Sequence, residues 1–351
     1  MLEKSREIFG NRMSEKDVVK AEKTQKKFLK KYGDDSARDY RFALRDNPVL
    51  AELGTKELVF GEGAAFSDKS LIVGNIRMGF GHYRISMAMA SCARALGYEP
   101  VWVDLNSFTE STCTKIISGQ NELYSMGSRL SQKSKLFNKL YWEPLNSEGF
   151  RKLSYNCSDQ ASAELMAKLL QNLPKDLPYV ATHVWPAQAA IHAGFSKVVN
   201  AIPDNWPMAL HLAEGATHTI QTYSAWLGYK ALRGMDKKRS LKPMPAGDII
   251  YTGHYVDHEL VANLESDTAF RADRVKNGKA KRYLLTVGGA GAQQALFADI
   301  IKALLPDIQA GKAALFINVG DHKNVWENLK QAVPALGSAQ VFQNDYPRAR
   351  A

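Results

Sequence analysis

The chain has 351 residues, 45 % of them hydrophobic and 23 % charged, with a formal net charge of +10. That length accommodates two domains with buried cores, and the composition excludes a chain disordered throughout. The positive balance suits an anionic partner without choosing among phosphate, nucleotide, nucleic acid and acidic membrane. Three widely separated cysteines, Cys92, Cys113 and Cys157, form no Cys-x-x-Cys pair, which argues against a disulfide framework and fits a reducing compartment. The N-terminal stretch lacks a signal peptide's apolar core, and nothing reaches the run of about 18 apolar residues that a spanning helix needs. The expectation is a cytoplasmic chain.

Residues 1–55 are rich in Lys and Glu with thinly spaced apolar positions (Ile8, Phe9, Val18, Val19, Phe28, Leu29), which predicts a polar helical extension. From Ser70 the character changes. Leu71–Asn75 reads as a strand, followed by the glycine-bearing turn Met78-Gly79-Phe80-Gly81-His82. Ile85, Met89, Cys92 and Leu96 then recur with helical spacing up to Gly97, and Pro100–Leu105 is a second strand. Strand, helix and strand in that order imply a parallel sheet. The alternation continues with strands near Tyr179–Thr182, Lys197–Ile202, Thr217–Thr222 and Ile249–Thr252, and with helices at 186–192 and 225–232. His82, His183, Asp204 and His254 follow strand ends, where open parallel sheets bind ligands.

Residues 56–264 are therefore assigned to a first Rossmann-like domain, and the charged stretch 265–281 to a linker. A second, partial domain occupies 282–351. It opens with a strand at Tyr283–Val287, the turn Gly288-Gly289-Ala290-Gly291-Ala292-Gln293 and a helix from Gln294. A strand at Ala314–Val319, a helix from Lys323 and the start of a strand at Val341-Phe342 complete it. A glycine turn between strand and helix lets the backbone approach a phosphate at the helix N-terminus. The first turn lacks dinucleotide spacing, which argues against NAD. His82, where turn meets helix, is a candidate base, because the dipole there disfavours its protonated form. His254 and His258 are four apart but lack a third ligand, so no metal is expected. Residues 115–155 interleave Lys115, Arg129, Lys133, Lys135, Lys139, Arg151 and Lys152 with Tyr124, Phe137, Leu140, Tyr141, Trp142 and Phe150. That pattern fits either an amphipathic insertion packed on its own domain or a surface resting on anionic lipid. No recognised nucleic-acid module accompanies it, and no nucleic acid is expected.

The two glycine turns, in this order and at this separation, resemble the GT-B glycosyltransferase superfamily. Within it the similarity is to the branch holding monogalactosyldiacylglycerol synthase and the MurG-type N-acetylglucosaminyltransferase. It rests on Gly79-Phe80-Gly81-His82, on the 288–293 turn, and on Asn200-Ala201-Ile202-Pro203-Asp204 before Asn205-Trp206-Pro207. The Ser125–Tyr141 segment is similar to the family's acceptor-side helices that touch lipid. The resemblance spans about 68–345. It implies two Rossmann-like domains, inverting transfer of a sugar from a UDP-sugar to a lipid or cell-envelope acceptor, and a cytoplasmic protein at the inner membrane face. By it, His82 is the base and no metal or other cofactor is needed. Gly79, Gly81, Arg84, Asp204, His183 and His254 line the acceptor side, and Gly288, Gly289, Ala290, Gly291, Ala292 and Gln293 lie by the donor diphosphate. The chain departs from the family at Asn75-Ile76-Arg77-Met78 and Phe80, where relatives are richer in glycine. It also lacks the later glycine–threonine turn and ribose-binding acid. The expectation is accordingly a transferase with an incomplete donor domain. The alternatives are a non-catalytic nucleotide- or ligand-binding protein of the same architecture and a sugar-nucleotide epimerase.

Overall fold

The computed structural model describes residues 1–78, 80–288, 291, 293–320, 322–342, 345 and 348. They divide into two compact units, Met1–Val261 and Ala262–Ala351. The first unit begins with a short hairpin, β1 (Glu7–Ile8) and β2 (Asn11–Arg12). It is built on an eight-stranded sheet of β3 (Phe42–Asp46), β4 (Lys56–Phe60), β5 (Ser70–Asn75), β6 (Glu99–Asp104), β7 (Tyr179–Ala181), β8 (Val198–Ala201), β9 (Thr217–Ile220) and β10 (Ile249–Tyr251). The spatial order is β10-β9-β8-β7-β5-β6-β4-β3, parallel throughout except for the antiparallel edge pair β3–β4.

Central strands of a parallel sheet are covered on both faces, so they read as apolar runs rather than alternations. Ile72 and Val73 of β5 and Val101, Trp102 and Val103 of β6 are all buried. Gly74 sits where a Cβ would overlap the fully buried Tyr179 ring of neighbouring β7, so only glycine lets the two strands pair there.

Residues 1–55, expected as a polar helical extension, lie within this unit. Ser14 caps the helix Glu15–Tyr32, accepting a hydrogen bond from the Asp17 amide at 3.2 Å. Val18 and Ala21, three residues apart, turn one face of that helix inward. With Ile8, Phe9 and Met13 they join Leu153, Cys157 and Ala161 in a buried cluster. The remaining Lys and Glu positions dominate the composition and hide this face from a reading by average polarity. Strands β3 and β4 likewise extend the sheet.

Helix Thr112–Lys133 leads into five-residue π turns at Asn138–Trp142 and Leu145–Gly149. Its first turns are buried (Cys113, Ile116, Ile117), whereas Leu123, Met126, Leu130, Leu136, Leu140 and Tyr141 are exposed.

The second unit contains helix Leu264–Lys276, the parallel pair β11 (Lys281–Thr286) and β12 (Ala313–Asn318), and helices Gln294–Gln309 and Lys323–Ala332. The stretch 265–281 is therefore mostly helix rather than an open linker, since Leu264–Lys276 contains no Gly or Pro to interrupt it. Val287, Ala298, Ile301, Val325 and Leu329 form the unit's own core. Val341 and Phe342, read as the opening of a strand, have no strand partner among the described residues. The molecule is thus a mixed α/β protein with one large sheet. Among the described residues, no helix is long and apolar enough to cross a membrane.

Candidate active site

Strand order reverses at β5, which has β6 on one side and β7 on the other. In open parallel sheets such a switch point leaves a crevice outside the carboxyl ends of the strands. The chain leaves β5 at Asn75 and enters helix Phe80–Ala95, placing His82 in its first turn. The end of β7 supplies Thr182, whose amide donates to the Gly74 carbonyl at 3.1 Å.

His82 is held from two sides. Its Nδ1 lies 2.7 Å from the Thr182 carbonyl oxygen. A carbonyl only accepts, so Nδ1 carries the proton and Nε2 presents a lone pair. Nε2 makes no hydrogen bond among the described residues. The His82 carbonyl accepts from the Ser86 and Thr182 hydroxyls at 3.0 and 3.2 Å, and those hydroxyls lie 2.6 Å apart. Burial holds the His82 pKa below the ordinary 6.5, with the Thr182 hydrogen bond opposing.

The neighbouring His183 takes the opposite tautomer. It caps helix Val184–His192, its Nδ1 accepting from the Trp185 amide at 3.1 Å, so its proton sits on Nε2. The two imidazoles meet edge to face, with centroids 4.7 Å apart and planes at 80°. Burial lowers the His183 pKa well below 6.5, and the nearby His82 and His211 push the same way.

Asp204 follows β8, and its Oδ2 lies 3.0 Å from Nε2 of the buried His211; the Asp204 side chain itself is 56 % exposed. The His211 imidazole beside it holds the Asp204 carboxyl below its ordinary value, against some desolvation. The Asn200 side-chain amide anchors His211 through its carbonyl at 2.7 Å. The structure thus gathers His82, His183 and Asp204, together with His211, at the carboxyl ends of β5, β7 and β8.

The other candidates are placed differently. His254 follows β10 and pairs with Gln221 (Nδ1 to Oε1, 3.2 Å). His258 opens a separate short helix, so the two histidines do not share one helical face. Arg84 is engaged by Asp257 (Nη1 to Oδ1, 2.8 Å), which ties helix Phe80–Ala95 to the segment after β10. Gly81 is exposed with open space where a side chain would stand, and Gly79 lies outside the described residues.

In the second unit's turn, Gly288, Gly291 and Gln293 are described, while Gly289, Ala290 and Ala292 are not. The Gly291 amide donates to Gly288 O at 2.9 Å. Gly291 (φ 63°) and Gln293 (φ 65°) are left-handed, the latter immediately before helix Gln294–Gln309. Among the described residues, no three or more His, Cys, Asp or Glu side chains are grouped to hold a metal ion.

Sequence reasoning missed His211 and Thr182. His211 lies seven positions beyond Asp204 in a non-repeating loop, and Thr182 acts through a backbone carbonyl that no residue type advertises.

Residues 7–231 match the family model described as "Domain of unknown function (DUF6937)", and the chain belongs to that family. Residues 244–349 match a second model, "Domain of unknown function (DUF6938)". No curated protein and no solved structure matches the chain.

Proposed function

We propose that this DUF6937 family member is a glycosyltransferase of the two-domain GT-B type, transferring a sugar from a UDP-sugar to an acceptor hydroxyl with inversion. The observation that supports it best is the tautomer of His82. Its Nδ1–H is committed to Thr182, its Nε2 lone pair is free among the described residues, and burial keeps the ring neutral. That is the state a general base needs before reaction. Nε2 takes the acceptor's hydroxyl proton as the oxygen bonds to the anomeric carbon; the anomeric C–O bond to UDP breaks, and UDP leaves with the electron pair. The Asp204 carboxylate, kept ionised by His211, offers negative charge toward the imidazolium that results. The donor diphosphate is assigned to the 288–293 turn by resemblance alone, and by the same resemblance no metal takes part. The test is incubation of the protein with labelled UDP-sugars and a membrane extract. The expected outcome is labelled lipid or envelope material, lost in His82→Ala; no transfer to any acceptor by the unaltered protein sinks the proposal. UDP binding without transfer would favour the non-catalytic alternative.

The proposed acceptor side is a cytoplasmic, anionic membrane face. Support comes from the exposed Leu123, Met126, Leu130, Leu136, Leu140 and Tyr141 in a segment that also carries Arg129, Lys133, Lys135 and Lys139. A concentration of exposed apolar side chains rimmed by bases gains both from burial in lipid and from acidic headgroups.

A further inference from the structure

Beyond His82, the carboxyl edge of the first sheet carries exposed aromatic rings that no step above uses. Tyr251 ends β10, Tyr223 opens the helix that follows β9, and Trp206 stands in the loop that follows β8. Tyr223 and Tyr251 stack face to face, with centroids 4.0 Å apart and planes at 21°. Tyr223 is nevertheless 71 % exposed and Trp206 58 %. Thr222 Oγ1 donates to Asn205 Oδ1 at 3.0 Å, which locks together the residues immediately preceding Tyr223 and Trp206. The Trp206 carbonyl accepts from Tyr229 Oη at 3.0 Å, fixing its loop against helix Tyr223–Lys230. The chain that carries these rings is therefore held in place.

Their surroundings narrow the occupant. The Arg151 guanidinium lies over the Trp206 ring, Cζ 5.4 Å from its centroid, and the same stretches of chain carry the Asn205 and Gln221 amides, the His254 imidazole and the Asp204 carboxylate. Flat apolar faces edged by amides, one carboxylate and one guanidinium, all groups that bond hydroxyls, match a ring that is apolar on one face and carries hydroxyls at its rim. The C–H bonds of a pyranose face are slightly positive and meet the negative face of an aromatic ring, while amides and carboxylates bridge vicinal hydroxyls.

We infer that Trp206, Tyr223 and Tyr251 form a binding platform for a hexopyranose ring, the sugar-bearing part of the acceptor. This deepens the transferase proposal and rests on it for the word acceptor, but sugar binding itself is measurable without turnover. The experiment is saturation-transfer NMR on the full chain with methyl glycosides of common hexoses, and with uridine as a planar competitor. The expected result is transfer from aromatic protons to one face of at least one glycoside. Binding should weaken about tenfold, equivalent to ~1.4 kcal/mol, in Tyr223→Ala and in Trp206→Ala, with recovery in Trp206→Phe. No transfer to any glycoside, unchanged binding in both alanine variants, or binding of uridine alone overturns the inference. If His82→Ala abolishes sugar transfer while the platform variants bind glycosides normally, the platform fails and the transferase proposal stands. Glycoside binding that depends on the rings, in a protein that transfers nothing, leaves the platform standing and removes the enzyme.

Discussion

The imidazole Nδ1 of His82 lies 2.7 Å from the carbonyl oxygen of Thr182, a residue one hundred positions further along the chain. That contact fixes which nitrogen carries the proton, and burial keeps the other nitrogen unprotonated. Nitrogen-15 NMR of the ring should therefore show the Nδ1–H tautomer at neutral pH, with protonation of Nε2 only below pH 6.5. The acid limb of any His82-dependent rate should fall in the same range. A ring half-protonated at pH 6.5 or above would contradict the lowered pKa, and a neutral ring protonated on Nε2 would contradict the tautomer.

Asp159, on helix Leu153–Met166, is the buried ionisable group with the clearest cost. Burial pushes its pKa from 3.8 up to about 8, so the folded chain holds the proton while the unfolded chain releases it above about pH 4. The sign follows. Stability from this site is complete below pH 4 and is lost as pH rises toward 8. Asp159→Asn removes the ionisation at nearly constant shape. Urea unfolding should show a gain on the order of a few kcal/mol at pH 8, shrinking steadily toward pH 4. A gain that does not change with pH would mean that Asp159 is ionised in the folded protein.

Gly74→Ala tests the register of β5 against β7. The added Cβ overlaps Tyr179, which is fully buried in the main core. A loss of about 1–3 kcal/mol is expected, as for other overpacked cores. Part of it should return in the double variant Gly74→Ala/Tyr179→Leu, because contacting residues couple. Purely additive losses would show that the two residues do not meet.

For the membrane face, vesicle sedimentation should show binding to phosphatidylserine-containing vesicles that weakens with added salt and is absent with pure phosphatidylcholine. Leu136→Ser/Leu140→Ser should reduce that binding without lowering the unfolding midpoint, because both side chains are 69 % exposed. Equal binding by the double variant would remove this segment from the interface.

Much of the fold was legible in sequence because parallel strands and their helices have short-range signatures. The runs around Ile72, Val101 and Val198 and the helical spacing of Ile85 and Met89 are set by local periodicity. From Ser70 onward the observed strands lie within two residues of those expected, until Val341, whereas the helices Leu153–Met166 and Leu264–Lys276 were not anticipated. The first two of the eight strands, and the packing of the helix before them, were not legible in this way. Strands β3 and β4 carry the adjacent charges Arg45-Asp46 and Lys56-Glu57, and the helix Glu15–Tyr32 buries only Val18 and Ala21 among many charges, so their average polarity outweighs their pattern.

The candidate site divides along the same line. The sequence alone determined that His82 follows a glycine turn at a strand end, and that His183 and Asp204 follow later strands, since a parallel sheet brings its strand ends to one edge. Tertiary structure decided what those groups can do. His211 reaches Asp204 only through loop packing, and the tautomers of His82 and His183 depend on hydrogen bonds to backbone groups that carry no sequence label. His82 was a residue at a turn; the carbonyl of Thr182, brought to it by the pairing of β5 with β7, makes it a neutral imidazole with one nitrogen to offer.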